Sequence, residues 1–496
     1  MEAKKRGKGK VIVLFMGALA AVIVLAVAAM AATGTGVFRS DKAKAFELLA
    51  QMPDKLSRSD ISEYIGTEQL LEKSGEKGIS QNIRLSDLEC RKEILNGIST
   101  EDLSEYVIQY SILSDSSYQK LKMLFSMAKG EDKISAVLYR DEDKSSVAFP
   151  GLTGDKVLVA DNAFLNEIRN KGTDQDNTDT RKFETFRKDF QAFVQDEFRY
   201  LYDEISATRE QKDQYRLTIP KDSLAVAAAD FYQFMSKHED FTRLLDTCLK
   251  TDCLLAIKKA GDRIRESSAD FTFFVTGKEG SLSQISASVT VEGKPLSLTM
   301  DFEGKEDARA VILLKTSWKG EEIQFRLEMK DRKTEKYEES AELQLLIDDI
   351  SFGKLSYVST LDPGENKYSM QAELKSVGEE VIKLQAKGHI KNLNPGKSVS
   401  YTLDRVKVRV SGEEYISAAM DLTIGVLEES IEPPEGEEIV MDHMDDLQDP
   451  VCQQFATDLV KNGTPILMKW GIIDTKQLLN GIQKIKGGAA GNDDKL

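Results

Sequence analysis

From residue 281 to residue 426, apolar side chains recur at every second position, and nothing else in the chain restricts its fold as strongly. Ile285, Ala287, Val289 and Val291 open the pattern, and Leu296, Leu298, Met300 and Phe302 repeat it. Ala310, Ile312 and Leu314 follow, then Ile323, Phe325, Leu327 and Met329, then Ala341, Leu343, Leu345 and Ile347. Segments 368–374, 406–410 and 416–424 keep the habit, with Lys, Glu, Ser, Thr, Gln and Arg in between. A period of two puts one face of a strand in a core and the other in water. Turn signals every ~12 to 15 residues predict an antiparallel meander.

Coverage of that meander is the next constraint. About ten strands spaced ~4.8 Å apart make a sheet ~48 Å wide. A packed helix covers a strip of ~10 Å, so about five helices are needed to roof the apolar face. Helical patterns fall at 41–50, 60–71, 183–205, 222–235 and 253–264, the strongest carrying Phe186, Phe190, Phe193 and Leu201 on one side. A second strand-rich region at 79–159, with candidate strands from Tyr106 onward, also needs cover. Either the sheet curls over itself or part of its apolar face stays open as a groove. The predicted fold class is therefore α+β: an N-terminal transmembrane helix, then a large antiparallel β-meander, as a curved sheet or half-barrel, packed with amphipathic helices.

The transmembrane helix is read from the first 32 residues. Lys4, Lys5, Arg6, Lys8 and Lys10 precede a run at 11–32 with no charged side chain. As a helix that run is about 33 Å long, enough for a hydrocarbon core of about 30 Å. The basic flank predicts a cytoplasmic N-terminus and an extracellular body. A cleavable signal peptide is the rival, with Ala29-Met30-Ala31 as its cleavage site, but its apolar core is normally 7 to 15 residues. No cysteine follows the run before Cys90, which excludes a lipobox. The expected organisation is a basic tail (1–10), a signal-anchor (11–32), a spacer (33–40), a mixed helix and strand region (41–265) and the meander (266–430). An acidic linker with C-terminal helices (431–486) and a disordered tail (487–496) complete it.

Charge bounds the partners. The chain has 67 basic and 83 acidic side chains, net −16, and removing its first ten residues takes the balance to about −20. Such a body repels nucleic acid and anionic headgroups. Four cysteines in an exported chain could pair as Cys248–Cys253 and Cys90–Cys452, or remain reduced and buried.

No catalytic, cofactor-binding or metal residue is assigned. A Ser-His-Asp triad would have to use His238, His389 or His443, and no GxSxG elbow presents a serine. SxxK spacing at Ser74, Ser117, Ser126 and Ser351 lacks its KTG and SDN companions. Asp174, Asp176 and Asp179 begin like a calcium loop, yet Asp179 stands where Gly is required and Thr185 where Glu is. Asp442, His443, Asp445, Asp446 and Asp449 mix oxygen and nitrogen donors, and helix capping explains them as well. Gly34-Thr35-Gly36 lacks the context of a phosphate loop, and Asn462-Gly463-Thr464 has glycosylation spacing. The apolar patch 466–473 around Trp470 is expected to dock on the sheet.

An exported antiparallel sheet of this pattern, with helices against its apolar face, resembles the LolA/LppX-type lipid-carrier half-barrels. The anchor-plus-body layout resembles single-span extracytoplasmic proteins of Gram-positive bacteria. With the anchor, the one-sided sheet and the absence of a catalytic constellation, the expectation is a non-enzymatic, membrane-anchored envelope protein, with a lipid or other apolar molecule on a concave sheet face as its candidate ligand. The alternative is a structural module contacting an envelope protein. An envelope hydrolase would need a cleft of carboxylates or histidines that linear order conceals.

Overall fold

The computed structural model describes residues 40–90, 100–117, 119–162, 186, 189–190, 192–193, 196–197, 200–249, 252–266, 270–291, 294–304, 307–318, 320–443, 446 and 448–470. Among them twenty strands fall in one sheet, antiparallel apart from a single parallel pair. The first ten are β1 (Ile79–Cys90), β2 (Tyr106–Ser114), β3 (Leu121–Lys129), β4 (Asp132–Arg140), β5 (Lys144–Ala148), β6 (Lys156–Asp161), β7 (Ser206–Gln211), β8 (Gln214–Ile219), β9 (Phe271–Lys278) and β10 (Ser281–Val291). The others are β11 (Lys294–Glu303), β12 (Asp307–Trp318), β13 (Glu321–Lys333), β14 (Tyr337–Ile347), β15 (Ile350–Asp362), β16 (Lys367–Ser376), β17 (Glu379–Asn394), β18 (Ser398–Val410), β19 (Glu413–Val426) and β20 (Glu437–Met441). Helices with described bounds are α1 (Asp41–Leu49), α2 (Met52–Ser57), α3 (Asp60–Ile65), α4 (Thr67–Lys77), α5 (Lys221–Lys237), α6 (Glu239–Leu249), α7 (Cys253–Glu266) and α8 (Pro450–Lys469).

This corrects the expected fold class. The described chain is dominated by strands gathered in one sheet, and its helices are few and mostly short. The expected transmembrane helix and signal-anchor are corrected with it, as is the single-pass localisation with a cytoplasmic N-terminus and an extracellular body. Segment 11–32 lies outside the described residues, and among the described residues no helix is long and apolar enough to cross a membrane. The physical reason is visible in α8, the longest: its 20 residues include Gln453, Gln454, Asp458, Lys461 and Lys469. Apolar residues are spent at alternate positions of strands, where they cover one face, rather than in a continuous run.

The chain clusters into two compact units: residues 1–60, 176–358 and 374–379 in the first, and residues 61–175, 359–373 and 380–496 in the second. In the first unit, β7 to β14 pair antiparallel in sequence order. The hairpin turns follow from backbone chemistry. Glu279 and Gly280, at φ 54° and 79°, join β9 to β10, and Asp348 and Asp349, at 48° and 62°, join β14 to β15. Two consecutive positive φ values mark the two-residue turns whose twist matches that of the strands. The core lies where α1 crosses the sheet: Phe46, Leu49 and Met52 are buried with Phe273, Leu217 and Leu282. Full burial of each such side chain stabilises by ~1.5 to 3 kcal/mol. Gly277 permits the close approach, since a Cβ there would meet Leu48 Cδ1 at 3.0 Å.

In the second unit β17, β18 and β19 pair in order, β19 then pairs with β1, and β1 to β6 continue the ladder. Ile83 of β1 lies between Leu422 of β19 and Tyr110 of β2. The parallel pair is β6 with β20. Asp449 caps α8 by accepting the Val451 N–H, and Pro450 occupies the first turn, where a missing donor costs nothing. Phe455 and Cys452 of α8 pack with Ala160, Ile439 and Met441. At its end Trp470 meets Tyr106 edge-on, and Tyr106 Oη donates to the Trp470 carbonyl at 2.9 Å. Val137 and Tyr139 of β4 are buried, whereas Phe125 and Leu138, on the opposite face of β3 and β4, are exposed.

Candidate functional site

One register row in the first unit shows how its apolar face is covered. Ile285 is opposite Met300, Met300 opposite Ile312, Ile312 opposite Leu327, and Leu327 opposite Leu343. All five side chains therefore stand on one face of β10 to β14. Ile285 and Met300 are each 1% exposed, Ile312 and Leu327 are half-buried, and Leu343 is 42% exposed. The neighbouring row repeats the trend, from buried Leu298 and Leu314 to half-buried Phe325 and Leu345. The roof of α1 and α2 ends over β12 and β13, and the apolar face continues beyond it. Phe352, Leu355, Val358, Leu374 and Val377, later in the same unit, are also exposed.

The other face of these strands is polar and internally paired. Glu328 takes Lys330 Nζ at 2.9 Å, Arg309 Nε at 2.9 Å and Arg326 Nη2 at 2.7 Å. Lys354 Nζ reaches Glu342 at 2.6 Å and Lys315 reaches Glu322 at 3.2 Å. The Lys330 ammonium first, with the Arg309 guanidinium, holds the Glu328 carboxyl down at about 2. Charge on this face is already neutralised by neighbours, so the uncovered apolar face is the part of the unit with unmet contacts.

A carboxylate cluster closes one end of that face. Asp331 follows Met329 in phase on β13 and lies opposite Glu339 of β14. Asp60, at the start of α3, donates its backbone N–H to Asp331 Oδ1 at 3.5 Å. Asp60 and Asp331 are 2% and 5% exposed. Arg58 Nε is 3.4 Å from Asp331 Oδ2, and Arg58 Nη2 is 3.7 Å from Asp60 Oδ1. Lys333 Nζ is 3.8 Å from Asp60 Oδ1, and Ser59 Oγ donates to Glu339. Oδ2 of Asp60 and Oδ2 of Asp331 are buried without a hydrogen bond, because the guanidinium approaches Asp331 off the hydrogen-bonding direction. Burial first, and the Asp60 charge second, push the Asp331 carboxyl up to about 6.

The residues singled out in the sequence lie apart from this face. His238 caps the end of α5 against the Phe186 and Phe234 rings, with Nε2 3.8 Å from Asp189. His389 is on β17 opposite Thr402. Asp446 Oδ2 accepts the backbone N–H groups of Asp442 and His443 at 2.7 and 2.8 Å, and these hold its carboxyl below the ordinary range. The acidic C-terminal cluster is thus a turn and a helix cap; Asp445 lies outside the described residues. Asp174, Asp176 and Asp179 do too, and among the described residues no group of three or more His, Cys, Asp or Glu is arranged to hold a metal ion. Cys90 and Cys452 are free thiols rather than a pair, and Cys253 is free and buried, its thiol pushed up to about 12 by burial and Asp246. The side chain of Cys248 is outside the described set. Asn462, the sequon asparagine, uses its Nδ2 to donate to the Leu152 carbonyl at 2.6 Å.

The Asp60–Asp331 pair is the part of the site that the sequence reading missed. A signal existed: after Ile323, Phe325, Leu327 and Met329, the next residue in phase is Asp331, a carboxylate at an apolar-face position. A buried carboxylate needs a partner, but no sequence pattern points to Asp60, 271 residues away.

No family model and no curated protein matches the chain. Among solved structures, Pseudomonas aeruginosa OccK5 (OpdH) aligns over 70% of this chain and 96% of its own, at 6% identity and a TM-score of 0.20. Pseudomonas aeruginosa OccK11 (OpdR) aligns over 70% and 94%, at 5% identity and a TM-score of 0.20. Superpositions this loose carry no argument about fold or function.

Proposed function

We propose that the protein is a non-enzymatic binding protein that takes an apolar, chain-like ligand along the uncovered part of the β12 to β14 face. The observation that supports this is the row from Ile285 to Leu343, in which one continuous apolar face passes from dry core to open surface. Contiguous exposed apolar surface is costly to maintain in water and commonly marks a site that something covers. The ligand fits by burial rather than by directed polar contacts, since the face offers leucine, isoleucine and phenylalanine side chains. Its affinity should follow the ~0.8 kcal/mol gained per buried methylene, so longer chains bind better.

The test is a titration of the full chain with an environment-sensitive acyl-chain fluorophore, beside native mass spectrometry of the purified protein. Leu343→Glu is expected to weaken uptake about tenfold, the loss of one buried leucine contact. Leu71→Glu, an exposed leucine of the second unit, is the control and is expected to leave uptake unchanged. Wild-type protein that takes up no fluorophore, or equal uptake by Leu343→Glu, would remove the proposal. A co-purifying polypeptide that competes with the fluorophore would favour the protein-interaction reading instead.

A further inference from the structure

Residues 41 to 60 form a strap over the apolar face of the first unit, and its two ends are held by different chemistry. At the α1–α2 junction Gln51 Nε2 donates to the Gly280 carbonyl at 3.2 Å, and Gln51 Oε1 accepts the Leu282 N–H at 2.9 Å. Both bonds are neutral and do not titrate. Leu56 of α2 lies against the core, and α2 packs on β12. The far end, Arg58 to Asp60, meets β13 and β14 through the carboxylate cluster and its cations. We propose that this far end is a pH-operated latch: acid closes the strap onto β13 and β14, and loss of the proton from buried Asp331, beside Asp60, lets it lift and extends the open apolar face. The proposal concerns regulation of the site described above and, for its functional consequence, rests on that reading.

The charge arithmetic of the cluster supports it. Facing Asp331 are Arg58 and Asp60 from the strap, Lys333 from β13 itself and Glu339 from β14; β12 contributes Ala308, which carries no charge. Three carboxylates against two cations leave one negative charge in excess when all are ionised. A proton on Asp331 removes that excess and converts one acceptor oxygen into a donor. The two orphaned Oδ2 atoms identify where a proton has an unmet role. Once the proton leaves to solvent, two nearly inaccessible carboxylates face each other, and the cheapest relief is hydration by movement of the strap. Gln51, indifferent to pH, keeps the other end in place and makes the motion a lift rather than a release.

Hydrogen exchange of the full chain, followed by mass spectrometry from pH 4.5 to 8, tests the latch. After correction for intrinsic rates, protection of peptides covering 52–60 is expected to fall with a midpoint near 6, and acyl-fluorophore uptake is expected to rise over the same range. Asp331→Asn, which keeps a hydrogen-bonding side chain without the titration, is expected to hold 52–60 protected at every pH and to abolish the rise in uptake. If Asp331→Asn does not fold, Asp60→Asn serves: removing the neighbouring charge, which raises the Asp331 carboxyl, should move the transition to lower pH. Flat protection of 52–60 in the wild type, or an unchanged transition in both variants, overturns the latch. A titrating strap with no fluorophore uptake at any pH keeps the latch and removes the ligand reading. Uptake sensitive to Leu343→Glu but independent of pH does the reverse.

Discussion

Two carboxylates three residues apart on β13 respond to folding in opposite directions, because alternation puts them on opposite faces. Glu328 is on the polar face among Lys330, Arg309 and Arg326 and is held down at about 2. Its contribution is therefore present above the ordinary glutamate value and lost as pH falls toward 2. Asp331 is on the apolar face and is pushed up to about 6, so stability is highest below the ordinary aspartate value and declines as pH rises through 6. Denaturant curves of Glu328→Gln and Asp331→Asn over pH separate the two. Glu328→Gln is expected to lose ~1 to 2 kcal/mol at pH 7, discounted for its exposed cations, and to match the wild type near pH 2. Asp331→Asn is expected to gain ~1 to 3 kcal/mol at pH 8, a difference that closes by about pH 4. Curves that shift in the same direction for both variants would contradict the assignment of the two side chains to different faces.

At the scale of elements, the row across β10 to β14 predicts a gradient of mutational cost. Ile285→Ala and Met300→Ala remove fully buried side chains and should each cost ~2 to 5 kcal/mol. Leu343→Ala, four strands from Ile285 on the same face, should cost under about 1 kcal/mol, and Leu327→Ala should fall between; urea midpoints measure all four. A cost at Leu343 equal to that at Met300 would mean that the face is closed. The sequence makes the alternation itself legible, since the residues of this row stand in period two and the register joins them as neighbours. It does not make the roof legible. α1 and α2 reach β10 and β12 from more than 200 residues away, and the helical pattern of α1 is a modest Ala45, Leu48 and Leu49 stripe that looks no more important than others. The pairing of β1 between β19 and β2 is equally hidden. The polar, weakly alternating sequence of β1 gains its place only when β19, more than 300 residues later, presents its edge beside it. The count of helices against strands overestimated what helices do here, because a strand with both faces half-exposed needs no roof of its own.

Across the whole molecule, net charge selects among ligands that the apolar face alone does not distinguish. The chain carries −16 at neutral pH with an isoelectric point near 5.0. The polar face of β12 and β13 pairs several of its cations internally, so they offer little to an anionic headgroup. Acyl probes matched in chain length but bearing cationic, neutral and anionic heads should therefore bind in that order. At low ionic strength the cationic probe should lead the anionic one by about tenfold, and the gap should close as added salt shortens the screening length to ~3 Å near 1 M. The apolar contribution, by contrast, should persist or grow with salt. Lowering the pH toward 5 removes the net charge and so erases head-group preference, whether or not the strap over the apolar face moves. Asp331→Asn separates the effects, because it leaves the bulk charge almost unchanged while removing the local titration. Selectivity for the cationic probe should survive in that variant at pH 7 and fade toward pH 5, with total uptake no longer rising through 6. An anionic probe that binds as well as its cationic counterpart at low salt would show that a local cationic patch, and not the net field, governs access to the face.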